Sequence, residues 1–307
     1  MKKHFKLMIN IFLCTFILST FSVNALVEPN KVPILSLDFQ NRDSLPNTYR
    51  NTSELDILKN TNIDTTGLKD LNISGSAQFT ALELRQLKNN IRKHSSLPII
   101  DIDLRQESHG FINGNAVSWL VNKDDANAGL TLQQVTEKEK QQLASIPFGK
   151  TISLDNGKYT LVPTVVESEE HLVKPDNIKY FRIPVTDGHR PTDDMVDRFI
   201  DLVTNLPEKS WLHFHCKAGL GRTTTFMVLY DIMNNAKNVS LQTIIDRQYQ
   251  LGGEDLFKPG NENTRVIFIK NFYEYAKSNT DGFKTTWSQW IKENNIAPYT
   301  LQNEIPK

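Results

Sequence analysis

The feature that most constrains the fold is an apolar run joined to a helical run by a short glycine-containing loop. The segment "SWLHFH" (210–215) is typical of a short buried strand, and "TTTFMVLYDIMNN" (223–235) is typical of a helix. Between them lies "CKAGLGR", with Cys216 and Arg222 at its ends. A strand, a tight loop and a helix in this order favour an α/β fold.

The loop also has the composition of an anion site. Free backbone N–H groups and the dipole at the start of a helix attract negative charge. Gly219 and Gly221 allow left-handed dihedral angles, so that consecutive N–H groups converge on one anion. Arg222 is suited to bind two phosphate oxygens at once. The same positive field favours the thiolate form of a cysteine, which makes Cys216 a candidate nucleophile.

Cysteine usage supports a reactive role without proving it. The chain has two cysteines, Cys14 and Cys216. Cys14 lies in an N-terminal segment predicted to be removed, which leaves Cys216 with no partner for a disulfide. The alternative is that Cys216 is a buried residue that acts only as a small apolar group. A metal site in "HFHC" is disfavoured because successive strand residues point to opposite faces, which separates Cys216 from the histidines, and because no second ligand cluster appears in the sequence.

The first 25 residues are predicted to form a secretory signal. Lys2, Lys3 and Lys6 precede the apolar run "LMINIFLCTFILSTFSV", and Ala25 ends a small-residue cleavage site. This pattern predicts export to the periplasm or the medium. A retained membrane anchor is the alternative, although the apolar run is short for a membrane span.

The rest of the chain is predicted to form an α/β core with an insertion. Residues 26–75 have weak periodicity and are expected to be irregular with short extended pieces. "LPIIDIDLR" (97–105) and "IKYFRIPV" (178–185) are predicted strands that lie more than about 70 residues apart, too far for a structureless loop. The interval contains a hairpin signal at Asp155-Asn156-Gly157. We therefore assign 26–111 and 173–307 to the core and 112–172 to a small β-rich inserted domain.

Helices are predicted from periodicity and capping signals. Thr80 and Glu83 form a capping box for a helix that ends near His94, and "TEKEKQQLA" carries a second one. Thr192 is a plausible N-cap for "PTDDMVDRFIDLVTNL". The remaining predicted helices are "TTTFMVLYDIMNN", "SLQTIIDRQYQL", "NTRVIFIKNFYEYAKSN" and "TTWSQWIKENN".

The loop resembles the signature of a known family. "HCKAGLGRTT" is similar to the HCxxGxxR loop of protein tyrosine phosphatases (PTPs) and, in more detail, to that of the bacterial PTP-like phytases. "LNISGSAQFTALEL", "DLRQESHGFING", "FRIPVTDGHRPT" and "DGFKTTWSQW" also resemble blocks of that family, so the resemblance covers most of residues 68–291. It implies a PTP-like core with a central sheet flanked by helices, and a metal-free, cofactor-free phosphatase of myo-inositol hexakisphosphate.

The resemblance also implies roles for individual residues. Asp187 in "PVTDGHRP" corresponds to the mobile general acid, although an ordinary Asp-Gly turn is the alternative. Asp103, Arg105, Glu107 and His109 are expected to brace the loop through salt bridges. In the family a histidine often follows the acid directly, whereas here Gly188 intervenes. The candidate catalytic residues are Cys216, Asp187, Arg222, Thr223 and His215; the candidate substrate-binding residues are Lys217, Ala218, Gly219, Leu220, Gly221, Arg222, His189, Arg190, Arg50 and Lys258.

Charge restricts the partners and leaves the substrate open. Without residues 1–25 the net charge is −3, so neither nucleic acid nor an anionic membrane is an expected partner. A substrate with many phosphates needs several cations close to the site, and Lys217 inside the loop favours such a polyanion. The loop with its lysine also resembles that of phosphoinositide 3-phosphatases. Alternatives are a phosphoinositide or phosphotyrosyl-protein phosphatase acting as a secreted effector, and a non-catalytic inositol-phosphate-binding module. For His189, Arg190, Arg50 and Lys258, an ordinary solvated charge is the alternative.

Overall fold

A computed structural model of the chain describes residues 32–59, 61–121, 125–258 and 264–301. Its strands are β1 (Ile34–Phe39), β2 (Arg50–Asn51), β3 (Ile73–Ala77), β4 (Ile99–Arg105), β5 (His109–Ile112), β6 (Asn115–Leu120), β7 (Ile152–Leu154), β8 (Tyr159–Leu161), β9 (Val166–Glu167), β10 (Lys179–Val185) and β11 (Trp211–Cys216). Its α-helices are α1 (Ala81–Arg92), α2 (Leu132–Ala144), α3 (Glu169–Val173), α4 (Asp193–Thr204), α5 (Gly221–Asn235), α6 (Leu241–Gln250), α7 (Thr264–Ser278) and α8 (Trp287–Glu293).

The central sheet has five strands in the order β10-β4-β11-β3-β2. The pairs β10/β4, β4/β11 and β11/β3 are parallel, and only β2 runs antiparallel to its neighbour β3. The carboxyl ends of β3, β4, β10 and β11 therefore share one edge. In open α/β sheets this edge is where ligands bind, and here it carries the loop that follows β11.

The two faces of this sheet differ in chemistry. Residues of β4 and β11 are buried along their whole length, and their side chains alternate between the faces. One face carries apolar residues, among them Ile102, Phe214 and Cys216, and joins the core that includes α4, α5 and α7. The other face carries Asp101, Asp103, His213 and His215, together with Trp211 and Ile99, against α1 and β5. Charged groups are thus buried behind the strand that ends at the cysteine.

A second sheet covers this charged face. It has the strand order β1-β6-β5-β9, and β7 and β8 form a separate antiparallel hairpin. The hairpin predicted at Asp155-Asn156-Gly157 is confirmed, and all three of those residues have positive φ. Within the sheet, β1 and most of β5 come from outside residues 112–172, so the division into core and inserted domain stays a prediction. The short extended pieces expected in 26–75 include β1, whose residues pair with β6, and the two-residue strand β2.

The helix predictions are confirmed with one correction. Thr80 and Glu83 cap α1 reciprocally. Helices α4, α6, α7 and α8 lie within the segments predicted for them, and α5 begins at Gly221, two residues before its predicted segment. The second capping box was misplaced, because α2 begins earlier and is capped by Thr131 and Gln134. Glu139, whose position in "TEKEKQQLA" suggested a cap, instead ion-pairs with Arg182 at 2.8 Å.

Residues 1–25, predicted to be a signal peptide, lie outside the described residues. Among the residues that are described, every helix is too short or too polar to cross a membrane.

Candidate active site

Cys216 lies at the last position of β11, opposite Ala77 of β3, and is buried. The hydroxyl of Thr223, a candidate catalytic residue, donates to its Sγ at 3.2 Å. Helix α5 begins at Gly221, and its N-cap, Leu220, has no side chain that can accept from the first-turn N–H groups. The start of α5 therefore keeps backbone donors for an anion held beside the thiol.

The loop between Cys216 and α5 is held from its outer side. Gly219 has a φ of 74°, and a Cβ there would lie 2.2 Å from the Ala77 nitrogen, so only glycine fits. Arg50 donates to the Gly219 carbonyl at 2.9 Å and to the Thr224 hydroxyl at 2.9 Å. The Thr48 hydroxyl donates to the Ala218 carbonyl at 3.1 Å. With its carbonyls bound on the outside, the loop directs its N–H groups inward.

Arg222 is fixed by a two-point ion pair with Glu107. Its Nη1 and Nη2 lie 2.7 and 3.0 Å from the two Glu107 oxygens, and Nη1 also donates to the Val185 carbonyl at 3.0 Å. Its buried Nε has no hydrogen-bond partner among the described residues. Buried donors are rarely left unpaired, and an oxyanion in the loop would satisfy this one. Arg222 is thus oriented for a ligand.

Glu107 also pairs with Arg105, whose Nε lies 2.7 Å from Oε1. Burial alone would raise the pKa of Glu107, but the charges of Arg222 and Arg105 outweigh it and hold this pKa well below its usual range. Glu107 is therefore ionised at neutral pH. The salt bridges predicted for the end of β4 are present.

Asp187 follows β10 and lies at the edge of the loop. Its Oδ1 is 3.1 Å from Arg222 Nη2, and its side chain is 48% exposed. Gly188, next in sequence, has a φ of 78°, which turns the chain after the acid. The structure thus brings Cys216, Arg222, Thr223 and Asp187 together at one sheet edge.

His215 differs from its expected position. Named above as a candidate catalytic residue, it lies on the face of β11 opposite Cys216, and neither of its ring nitrogens makes a hydrogen bond to the residues that the structure describes. Its Nε2 is 2.6 Å from Glu169 Oε1. Asp101, Glu169 and His215 have ligand-type atoms within 4.8 Å of one another, the spacing of a metal site. Two tetrahedral zinc ligands, however, lie about 3.3 Å apart, so 2.6 Å is the distance of an ion pair.

The candidate cations take different positions. Lys217 is 24% exposed and its Nζ lies 3.3 Å from Asp38, a buried carboxylate that also binds Arg105. Arg190 ion-pairs with Asp193, and its guanidinium lies 4.4 Å from the ring centre of Phe268 and 4.1 Å from that of Tyr299.

These contacts do not support the expectation that Arg190 binds substrate, because they give its charge a structural use. Arg50 is likewise buried against the outer side of the loop. His189 is half-buried, and its carbonyl accepts from Arg265 at 3.0 Å. Lys258 is exposed. Substrate contacts by His189 and Lys258 stay predictions.

Sequence reasoning missed several residues of this region. Arg265 lies in the first turn of α7, and its Nη1 would be 3.2 Å from a Cβ on Gly221. Burial lowers the pKa of Arg265, while Glu254 acts to raise it. A cation at the start of a helix interacts unfavourably with the helix dipole. The position of Arg265 at the start of a predicted helix was therefore the sequence signal that could have identified it. Asp38, Gln78 and Glu169 were also missed, and they come from elements remote in sequence.

A cysteine at the carboxyl end of a parallel strand, with an arginine at the start of the next helix, defines a site of the protein tyrosine phosphatase class. A family model of PTP-like phytases, described by the words "Inositol hexakisphosphate", matches residues 149–234. A PTP-like phytase from Bdellovibrio bacteriovorus is 34% identical; the match covers 86% of this chain and 97% of that one, with a TM-score of 0.71. The chain therefore belongs to the PTP-like phytase family of the PTP superfamily.

Two longer proteins are also similar. The PTP-like myo-inositol phosphatase from Mitsuokella multacida, solved in complex with myo-inositol-(1,3,4,5)-tetrakisphosphate, is 35% identical, with 86% of this chain and 50% of that chain covered and a TM-score of 0.74. Effector protein hopD2 from Pseudomonas syringae pv. tomato is 29% identical over 263 residues, which cover 79% of this chain and 56% of hopD2. The chain thus spans about half the length of these two relatives.

Proposed function

We propose that this protein is a cysteine-dependent phosphoric monoester hydrolase that removes phosphates stepwise from myo-inositol hexakisphosphate. The observation that carries the proposal is the arrangement around Cys216. Its thiol lies 3.2 Å from the Thr223 hydroxyl, at the start of α5, with Arg222 held in place by Glu107.

In the first step the Cys216 thiolate attacks the phosphorus of an ester. The S–P bond forms as the P–O bond to the inositol oxygen breaks, and Asp187 gives its proton to the leaving oxygen. Arg222 and the loop N–H groups bind the phosphoryl oxygens, whose negative charge they stabilise. The Thr223 hydroxyl stabilises the thiolate before attack and when it leaves again.

In the second step water attacks the phosphocysteine. Asp187, now a carboxylate, takes the proton of the water, the S–P bond breaks, and phosphate leaves together with a regenerated thiolate. Each cycle consumes one water and releases one phosphate. Repetition on the same inositol ring gives stepwise removal.

The substrate assignment is supported by charge and by relatives. Lys217, within the loop, and Arg265, next to Gly221, add positive charge, as a ligand with several phosphates requires. The similar Mitsuokella phosphatase was solved with an inositol tetrakisphosphate, and the matching family model is described by inositol hexakisphosphate.

The test is to incubate the purified full chain with inositol hexakisphosphate, a phosphoinositide in vesicles and a phosphotyrosyl peptide. We expect kcat/KM to be highest for inositol hexakisphosphate, and we expect chromatography to resolve successively less phosphorylated inositols. The Cys216→Ser variant is the control and is expected to release no phosphate. Phosphate release by Cys216→Ser at the rate of the wild type would rule out a mechanism with Cys216 as the nucleophile. Binding of inositol hexakisphosphate by the wild-type chain without turnover would favour a non-catalytic binding module.

A second candidate function follows from the similarity to an effector protein. In it the same chemistry acts on a phosphoinositide or a phosphotyrosyl protein, and the chain is exported as an effector. Fastest release from the peptide or the vesicles would favour this candidate. Export itself is tested by expressing the full chain in a bacterium and sequencing the N-terminus of the exported form, which we expect to begin after Ala25.

A further inference from the structure

The segment that begins at the proposed general acid is exposed at one end and buried at the other. Asp187 itself is 48% exposed, and a Cβ on Gly188 would meet no atom within 4 Å. Arg190, further along the same segment, is only 9% exposed. The acid therefore lies at the open end of a short segment whose other end is anchored in the protein.

Two aromatic rings contact the Arg190 guanidinium. It lies 4.4 Å from the ring centre of Phe268 in α7 and 4.1 Å from that of Tyr299, which belongs to the tail after α8 (residues 294–301). Both rings are buried, and contacts between a cation and an aromatic ring are strongest where water is excluded. Arg190 is thus held by two segments that follow the Cys216 loop in sequence.

Asp193, the first residue of α4, joins Arg190 to the same tail. Its Oδ1 ion-pairs with Arg190 and accepts from Trp287 Nε1 at 2.8 Å. Its Oδ2 accepts from the backbone N–H of Tyr299 at 2.6 Å. One buried carboxylate therefore connects Arg190, the start of α8 and the tail.

The chain between the acid and Arg190 forms a closed turn. The His189 N–H donates to the Thr186 carbonyl at 3.2 Å, so Asp187 and Gly188 are the central residues of a β-turn. Gly188 has a φ of 78°, which glycine adopts in a turn without steric cost. Because the turn is closed and Arg190 follows it directly, the position of Arg190 determines where the Asp187 carboxyl lies.

We propose that Arg190 is a positioning residue whose buried contacts keep the Asp187 carboxyl at the edge of the Cys216 loop. Tyr299 completes these contacts, so the tail of the chain takes part in placing the acid. The proposal rests on the proposed function, since it concerns the acid of that mechanism. Proton donation requires the acid within hydrogen-bond reach of the leaving oxygen, so displacement of the turn slows this step. Arg190 acts through Asp187 and touches no substrate.

The test isolates proton donation by the choice of leaving group. Phenyl phosphate and p-nitrophenyl phosphate carry the same charge, but phenolate is much the stronger base and needs the proton that Asp187 supplies. The ratio of kcat/KM for p-nitrophenyl phosphate to kcat/KM for phenyl phosphate is measured in the full chain for the wild type, Arg190→Met and the matched control Arg198→Met. Arg198 also lies over an aromatic ring, 4.3 Å from the centre of Phe181, but that ring belongs to the middle of β10.

We expect Arg190→Met to raise this ratio about tenfold, because slower proton donation lowers the rate on phenyl phosphate far more than the rate on p-nitrophenyl phosphate. Tyr299→Leu should raise the ratio by a smaller factor. Tyr299→Phe, which keeps the ring, should restore the wild-type value. Arg198→Met should leave the ratio unchanged even where it lowers the melting temperature, and Asp187→Asn should give the largest ratio of all.

Other outcomes count against the proposal. A wild-type ratio in a folded Arg190→Met with a lower melting temperature would mean that Arg190 only stabilises the fold. An equal rise in Arg198→Met would mean that any loss of a stacked arginine displaces the acid. A higher KM for inositol hexakisphosphate with an unchanged ratio would make Arg190 a substrate-binding residue.

Two further results keep the test decisive. If Arg190→Met does not fold, Tyr299→Leu is compared with Tyr299→Phe, and equal ratios for these two variants would overturn the proposal. If the wild type hydrolyses both aryl esters but not inositol hexakisphosphate, the substrate assignment fails, while the ratio still reports the position of the acid.

Discussion

The two sides of the Cys216 loop handle buried charge in opposite ways. On the Arg222 side, Glu107 pairs with both Arg222 and Arg105, each at 2.7 Å. On the His215 side, carboxylates outnumber arginines, and both buried oxygens of Asp101 lack a hydrogen-bond partner within the part of the chain that the structure describes. Geometry sets the charge state of the first side, whereas protons set that of the second.

This difference assigns the two sides different tasks. Fixed pairs give a phosphate site that does not change over a wide pH range, because Glu107 remains ionised and Arg222 remains a cation. In the second cluster, burial and the charge of Glu169 raise the pKa of Asp101, so the charge of this buried carboxyl changes with pH. We expect substitutions on the Arg222 side to have large effects that vary little with pH, and substitutions on the His215 side to have smaller effects that vary with pH.

The largest effect is expected for Asp187→Asn. An amide neither donates the proton that the leaving oxygen needs nor takes one from water, so kcat should fall about 10³-fold. Because Asp187 is 48% exposed, the melting temperature should hardly change. Steady-state phosphate release at saturating inositol hexakisphosphate measures the loss. An unchanged kcat would mean that another group is the acid.

Glu107→Gln should weaken both activity and stability. Arg222 and Arg105 lose their shared partner, so kcat/KM should fall about 10²-fold and the free energy of unfolding by about 3 kcal/mol. The folded pKa of Glu107 is depressed, so its contribution is complete above the ordinary glutamate range and is lost only as pH falls towards the folded value. Urea unfolding should therefore give the same difference at pH 6 and pH 9, with Glu170→Gln as control. A difference in unfolding free energy between the wild type and Glu107→Gln that changes between pH 6 and pH 9 would contradict the expectation that effects on the Arg222 side vary little with pH.

Lys217→Met is expected to act on substrate binding with a smaller effect. The ammonium lies 3.3 Å from Asp38, which neutralises part of its charge. Loss of about 1 kcal/mol should raise KM for inositol hexakisphosphate roughly fivefold and leave kcat unchanged. Lys93→Met, at an exposed lysine after α1, is the control and should leave KM unchanged. A larger fall in kcat than rise in KM would place Lys217 in the chemical step.

The smallest effect is expected for Asp101→Asn and should depend on pH. The folded pKa of Asp101 is raised, so its proton stabilises the folded state fully below the ordinary aspartate value, and this contribution is lost as pH rises. An asparagine has no proton to lose. The melting temperature of the variant minus that of the wild type should therefore increase by about 2 °C between pH 4 and pH 8. A difference independent of pH would mean that Asp101 is ionised and that the cluster is balanced otherwise.

The sequence predicted best what depends on neighbouring residues. The strands β4, β10 and β11 and the helices from α4 to α8 carry their own periodicity and caps, and the Cys216 loop lies between two of them. Strand β1 was harder to find because Ile34 pairs with Leu120 of β6, a partner far away in the chain.

The site shows the same limit. Cys216, Arg222, Asp187 and Thr223 lie in recognisable local patterns, whereas Glu169 and Arg265 reach the loop from remote helices. Arg190 lies in a suggestive motif, but its contacts with Asp193 and two aromatic rings could not be read from its neighbours in sequence. Side-chain direction in a buried ionic network is decided by tertiary packing.

The central claim is that Cys216 carries the phosphoryl group during turnover, and trapping that intermediate tests it most directly. The wild-type chain is mixed with saturating inositol hexakisphosphate, quenched with acid during turnover and digested for mass spectrometry. We predict a mass increase equal to HPO₃ on the peptide that contains Cys216, absent in the Cys216→Ser variant. An unmodified Cys216 peptide in a sample that has released phosphate would contradict the account.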